Sequence, residues 1–117
     1  MYDLYQYGQA YDAFVAGLDK GLRAAVDQRL QRLSQFGPRA GPKVTKALRD
    51  GIFECRAQRK RQHARLLYFY LKGMKIVVAA GLIKEGKVPA TDIDRALAIK
   101  RTLGQNPELI NDLTEIH

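Results

Sequence analysis

Two arginines, a tyrosine and a lysine in the middle of the chain are the residues whose types suggest chemistry: Arg56, Arg65, Tyr68 and Lys84. Arginine binds phosphate through its planar guanidinium group, and a tyrosine ring can stack on a base. Cleavage of RNA by its own ribose 2′-OH needs a base, an acid and cations that stabilise the added negative charge, but no metal ion. These four residues are therefore candidates for binding and cutting RNA.

Further cations lie close to these four along the chain. We expect RNA backbone contacts from five residues: Arg59, Lys60, Arg61, His63 and Lys87. The alternative is a solvated hairpin tip that contacts nothing, and the uneven charge of the chain favours RNA contact. A lone histidine in a basic loop is more often solvated than catalytic, so His63 is assigned to binding.

Signals for metal or cofactor chemistry are missing from the sequence. There is no Gly-rich phosphate loop and no His-Glu-x-x-His pair, and the two histidines lie far apart, at His63 and His117. The single cysteine, Cys55, excludes an internal disulfide and is expected to be a small buried side chain. We therefore predict neither a metal site nor a cofactor.

The charge of the chain is concentrated in its centre. The 117 residues carry a formal net charge of +8, while the last residues, 105–117, contain three acids and no lysine or arginine. A basic centre on a small domain indicates a polyanionic partner, either nucleic acid or an acidic protein segment. The longest apolar run, 76–83, is too short to span a bilayer, and no signal peptide is recognisable, so a cytoplasmic protein without membrane contact is expected.

Hydrophobic periodicity predicts the elements that position these residues. Apolar spacing of three and four indicates two helices before Gly37-Pro38, and residues 2–7 read as a short edge strand. Residues 37–50 read as a linker. Strand alternation follows at 52–56 and 65–70, with Arg65 and Tyr68 on opposite faces, and then in an apolar strand around Val77 and Val78. Helices are expected after Pro89 and after Pro107.

The predicted fold class is therefore α+β. An N-terminal helix pair packs on a small antiparallel sheet of three or four strands, and helices complete the C-terminus. We expect one domain over residues 1–104, with an acidic helix over residues 105–117 appended to it. That helix is expected to cover the apolar side of the sheet. A sharper hypothesis places it over the basic groove, where it would mimic an antitoxin segment.

Four segments resemble HigB-like toxins of the RelE/ParE superfamily, of the phage-derived, host-inhibition type. Residues 51–56 (GIFECR) resemble the family's G-L-Y-E-L-R strand, and residues 64–68 (ARLLY) resemble its Y-R-V-F-Y strand. Residues 81–84 (GLIK) resemble the end of the next strand, H-G-F-x-K-K, and residues 87–96 resemble K-T-P-x-x-E-I-x-x-A. The order and spacing of the segments are more specific than any one of them.

The resemblance implies a RelE-like fold and a type II toxin that cleaves ribosome-bound mRNA without a metal. Its implied partners are the ribosome, mRNA and a cognate antitoxin, a helix-turn-helix protein encoded nearby. Arg56 and Arg65 match the arginines that contact the RNA phosphate, Lys84 matches the first lysine of the closing motif, and Tyr68 matches an aromatic that can position a base or lie in the core. Glu54 matches an acid that we expect to pair with an arginine.

The sequence departs from the family pattern at three positions. Ala80 replaces a histidine, Glu85 replaces the second lysine, and Ala64 replaces an aromatic residue. These changes remove a candidate proton-transfer group and place an acid near the site. They leave open two alternatives, a ParE-like inhibitor of DNA gyrase and a non-catalytic basic RNA-binding or regulatory module derived from a toxin.

Overall fold

The computed structural model describes all 117 residues as one sheet with helices on both faces. The helices are α1 (Ala10–Ala16), α2 (Lys20–Phe36) and α3 (Ala90–Gln105), and short 3-10 helices span Gly37–Arg39 and Pro107–Asp112. The strands, in chain order, are β1 (Asp3–Gln6), β2 (Thr45–Arg49), β3 (Ile52–Arg59), β4 (Gln62–Leu71), β5 (Lys75–Ile83) and β6 (Thr114–Glu115). No helix is long and apolar enough to cross a membrane.

The expected sheet of three or four antiparallel strands is wrong. The sheet has six strands in the order β2-β3-β4-β5-β1-β6, and it is mixed because β1 runs parallel to β5. The strand predicted over residues 2–7 is present as β1 and precedes the helix pair. β1 was expected at an edge but lies between β5 and β6. Parallel pairing joins segments far apart in the chain, so local periodicity carries no signal for it.

The segment interpreted as a linker contains a strand. β2 pairs antiparallel with β3, and the connection between them is a tight turn in which Asp50 and Gly51 both have positive φ, +52° and +81°. Asp-Gly is the residue pair that two-residue hairpins of this type prefer, because both positions need the left-handed region. This turn places the basic strand β2 next to β3.

Two apolar layers hold the sheet between the helices. The layer under α1 and α2 includes Leu22, Leu30 and Tyr68, and the layer under α3 includes Phe69 and Leu97. The same three strands, β3, β4 and β5, contribute to both layers, because successive side chains of a strand point to opposite faces of the sheet. Removing apolar surface from water stabilises a fold by about 25 cal/mol per Å². These two layers are therefore the main source of stability.

The acidic C-terminal segment is not an α-helix. It forms the 3-10 helix Pro107–Asp112 and the short strand β6, which pairs antiparallel with β1. The amide of Ile116 also donates to the carbonyl of Leu4, at 2.9 Å. The segment therefore forms the β6 edge of the sheet, next to β1, and the hypothesis that it covers the basic groove is wrong because that groove lies at the β2 edge.

Candidate nucleic-acid site

The two arginines predicted to bind phosphate lie side by side on the sheet. Arg56 on β3 is the direct antiparallel partner of Arg65 on β4. Both point toward the α3 face, which Ile52 on β3 and Leu67 on β4 also face. Paired residues on adjacent antiparallel strands have Cβ atoms about 5 Å apart, so two guanidinium groups on one face can bind one anion.

A buried carboxylate lies beneath both arginines. Glu54 is only 1% exposed, and Arg65 donates from Nη1 to its Oε2 at 2.9 Å, while Nε of Arg56 lies 3.9 Å from its Oε1. The expected ion pair is confirmed. The side chain of Arg65 is 9% exposed and that of Arg56 is 43% exposed. Glu54 thus fixes the buried arginine in place, and Arg56 is the arginine that solvent reaches.

These residues form the floor of a groove between β2 and the start of α3. The groove has a volume of about 670 Å³. We call it the α3 groove, and its polar lining comprises Lys46, Arg49, Glu54, Arg56, Arg65 and Lys87. Lys46 lies on one wall, directly across from Glu54 in the β2–β3 register, and Lys87 lies on the other wall. The only acid in this lining is the buried, paired Glu54, so the groove is suited to an anion.

Sequence reasoning did not assign Lys46 to the site. The residue lies on β2, which had been interpreted as a linker. The signal was present, because the Asp50-Gly51 pair between two short extended runs indicates a hairpin. Reading the hairpin would have placed Lys46 on the same face as Arg56, since alternate residues share a face.

Tyr68 does not belong to this groove. Its ring is completely buried on the α2 face, where it stacks on Phe53 with ring centroids 5.6 Å apart, and its hydroxyl is hydrogen-bonded to Thr45. The assignment of Tyr68 as a residue that positions a base is therefore wrong. Tyr68 lies three positions after Arg65, an odd offset, so in a regular strand the two side chains must point to opposite faces.

Apart from Lys87 in the wall of the α3 groove, the remaining predicted RNA contacts lie at the β3–β4 end of the sheet. Lys60 has φ +55° in the tight turn and is exposed, as are Arg61, Lys84 and Lys87. The side chain of Arg59 lies against Gly21 near the start of α2. The amide of Lys84 donates to the carbonyl of His63 at 3.0 Å. The predicted cations are thus brought to one end of the sheet, but they do not form a single pocket.

A second hollow lies around the β3 edge from the α3 groove. It has a volume of about 350 Å³, and we call it the edge concavity. Its charged and polar lining comprises Arg29, Lys43, Arg56, Gln58, His63 and Arg65. His63 therefore shares a surface with both arginines, although it does not line the α3 groove. An imidazole beside two guanidinium groups can transfer protons to or from a bound phosphate ester.

The neighbouring Cys55 points away from the site. It is 2% exposed in the layer under α2, and burial raises the pKa of its thiol to about 12. A nucleophilic cysteine needs a lowered pKa and access to solvent. Cys55 has neither, so it acts as a small core side chain.

Comparison with known proteins agrees with these observations. Residues 13–101 match the model of the family described as phage-derived protein Gp49-like, and that match covers both arginines, the α3 groove and most of α3. No curated protein matches the sequence. Because the match spans most of the chain, the protein belongs to the Gp49-like family of phage-derived proteins, a family of the RelE/HigB toxin type.

Proposed function

We propose that the protein is the toxin of a type II toxin–antitoxin pair and cleaves mRNA on the ribosome without a metal ion. The observation that carries the proposal is the Arg56–Arg65 pair on the floor of a basic groove, held by a buried carboxylate. Membership in a toxin-type family supports the same function. The resemblance to HigB-like toxins adds ribosome-bound mRNA as the substrate.

In this proposal the two arginines have different roles. Arg65 is buried and fixed by Glu54, so it presents its guanidinium in one position. Arg56 is more exposed and closes on the scissile phosphate from above. Preorganised cations that face the developing charge of a transition state contribute several kcal/mol, typically about 3. Lys46 and Lys87 bind the neighbouring phosphates from the two walls of the groove.

Proton transfer is assigned to the end of the sheet beside the arginines. His63 shares the edge concavity with both arginines, and its imidazole takes the proton of the 2′-OH. Lys84, whose backbone amide donates to the backbone carbonyl of His63, gives a proton from its side-chain ammonium to the leaving 5′-oxygen as the 2′-oxygen forms its bond to phosphorus. Ala80 stands where the family has a histidine, so β5 supplies no imidazole for this role.

The same surface suits an antitoxin partner, which membership in a toxin-type family also supports. The α3 groove is open and basic, and the acidic tail of the chain lies at the other edge of the sheet and leaves the groove uncovered. We propose that an acidic segment of the antitoxin binds there and blocks RNA. The partner is expected to co-purify when the adjacent reading frame is co-expressed.

Primer extension on a defined mRNA in a purified translation system tests the function. Arg56→Ala is the best variant, because Arg65→Ala would leave Glu54 buried without its main partner and would risk unfolding. Arg95→Ala, which removes an exposed arginine of α3 outside the groove, is the matched control. New 5′ ends are expected with wild type and Arg95→Ala only when ribosomes are present, and Arg56→Ala is expected to lose at least about 100-fold in cleavage rate.

Two outcomes would contradict the proposal. Folded wild-type protein that gives no new 5′ ends would exclude the nuclease, and a supercoiling assay with DNA gyrase would then test the alternative. Cleavage that persists unchanged in Arg56→Ala would move the active site elsewhere.

A further inference from the structure

The α3 groove and the edge concavity meet at the same two residues. Arg56 and Arg65 line both hollows, while Lys46 and Lys87 line only the groove and Arg29 and others line only the concavity. Arg29 comes from α2, which packs on the opposite face of the sheet from α3. The two hollows thus reach toward opposite faces and join at one pair of guanidinium groups.

The junction is possible because β3 has an open edge at this point. β2 pairs only with the first half of β3, Ile52–Cys55. The last contact between them is the amide of Arg56, which donates to the carbonyl of Val44 at 2.7 Å. Beyond it, Ala57 and Gln58 have a neighbouring strand only on the β4 side. No strand therefore lies between the two hollows at this edge.

The edge concavity has the charge of an anion-binding surface. No acidic residue lines it, and its cations come from three separate parts of the chain: Arg29, Lys43 and the arginine pair. Arg29 donates from Nη1 to the carbonyl of Lys43 at 3.3 Å, which holds its guanidinium at the rim. Arg29 and Lys43 form no ion pair with any acid of the chain. Such unpaired cations attract phosphate strongly, because no internal anion competes for them.

We infer that a single RNA strand crosses the open edge of β3 and occupies both hollows at once. The inference rests on the proposed function, which supplies RNA as the ligand. The phosphate that is cut lies at Arg56 and Arg65, and nucleotides on one side of it lie in the edge concavity against Arg29 and Lys43. A rigid duplex cannot bend around a strand edge into a hollow of this size, whereas a single strand can.

Binding of uncleavable RNA by the full-length protein tests this path. The probes are fluorescent oligouridines with 2′-O-methyl ribose, about three and about twelve nucleotides long, so that only the longer one can fill both hollows. Arg29→Ala and Lys43→Ala remove cations of the concavity, and Arg23→Ala removes an exposed arginine of the same helix outside it. Anisotropy titrations at several salt concentrations give the dissociation constant and its salt dependence.

The proposed RNA path predicts that the concavity variants lose affinity for the long probe and not for the short one. Each concavity variant is expected to bind the long probe several-fold more weakly, with a salt slope smaller by about 0.7 for the lost phosphate contact, and to bind the short probe like wild type. Arg23→Ala is expected to match wild type on both probes. Equal effects of Arg29→Ala and Arg23→Ala on the long probe would overturn the inference, and so would absent binding of the long probe by folded wild type.

The result is separable from the test of cleavage. The 2′-O-methyl group blocks attack by the 2′-OH, so binding is measured whether or not the protein is a nuclease. If wild type does not cleave mRNA, but the concavity variants still bind only the long probe more weakly, the nuclease is rejected and the RNA path is retained. If Arg29→Ala and Lys43→Ala both still cleave mRNA and both bind the long probe as tightly as wild type does, the RNA path is rejected and the nuclease is retained.

Discussion

The two faces of the sheet differ sharply over the same stretch of β3 and β4. On the α2 face, Phe53 stacks on Tyr68 and lies edge-on to Tyr70, with ring centroids 5.6 and 5.4 Å apart. On the α3 face, Glu54, the residue after Phe53, and Arg65, three residues before Tyr68, form a buried ion pair that borders an open groove. Over this stretch the α2 face is therefore filled by packed aromatic rings, whereas the α3 face contains buried charge. We attribute that buried charge to function, since an apolar pair of similar volume is often as stable or more so.

The largest effect is expected when the buried carboxylate of Glu54 is removed. Glu54→Ala leaves Arg65 buried without its partner, and the free energy of unfolding is expected to fall by about 3–5 kcal/mol in urea denaturation. Replacing both residues together by leucine is expected to recover most of that loss, because no charge remains buried, while cleavage is abolished.

The exposed ion pair between Arg49 and Asp94 is the control for this series. Asp94→Ala removes a surface pair in which both side chains are exposed, so little change in stability is expected. The functional interpretation of the buried pair would be contradicted if the variant with leucine at both 54 and 65 were as unstable as Glu54→Ala. That result would show that the Glu54–Arg65 ion pair itself stabilises the fold.

The aromatic face predicts a loss of stability at alkaline pH. Burial, and then the hydrogen bond to Asp27, raise the pKa of Tyr11, and burial likewise raises the pKa of Tyr68, with its bond to Thr45 opposing the shift. The folded state therefore keeps protons that the unfolded state releases above about pH 10. Stability is fully present below that pH and falls above it, by up to about 1.4 kcal/mol per pH unit for each tyrosine.

Urea denaturation on either side of about pH 10 measures this effect. Tyr68→Phe removes one of the titrating groups, so its stability should decline less steeply with pH than that of wild type. Parallel declines for the two proteins would show that Tyr68 is not the buried tyrosine responsible.

The last prediction concerns the chemical reactivity of Cys55. This residue lies between Glu54 and Arg56 in the chain, but its side chain points to the opposite face. With its thiol buried and its pKa raised to about 12, Cys55 should react with iodoacetamide at neutral pH only when the protein unfolds. The rate of labelling followed by mass spectrometry should therefore rise with urea in parallel with unfolding. Rapid labelling of the folded protein would mean that the α2 face opens to solvent.

Part of this arrangement was predictable from residue types alone. The alternation in β3 and β4 predicted that Glu54 and Arg56 share a face and that Tyr68 and Arg65 do not. The error on Tyr68 came from carrying over a family role against that alternation. The Asp50-Gly51 pair could have predicted β2, but residues 37–50 were interpreted as a linker, which left Lys46 out of the site.

Other features had no local signal. The parallel pairing of β1 with β5 and the two-residue strand β6 depend on contacts between distant parts of the chain. The open edge of β3 depends on where β2 begins, at Thr45, which alternation does not specify. The junction of two basic hollows at Arg56 and Arg65 could therefore be seen only once the strands were placed.

The central claim is that Arg56 and Arg65 on the α3 face carry the chemistry, whereas the aromatic cluster of Phe53, Tyr68 and Tyr70 on the α2 face contributes only to stability. Arg56→Ala and Tyr68→Phe, measured together by primer extension and by urea denaturation, test it most directly. Arg56→Ala should keep near wild-type stability and lose cleavage, whereas Tyr68→Phe should cleave within about twofold of wild type and lose about 1 kcal/mol of stability with its hydrogen bond. A folded Tyr68→Phe protein that no longer cleaves, or an Arg56→Ala protein that cleaves like wild type, would contradict the account.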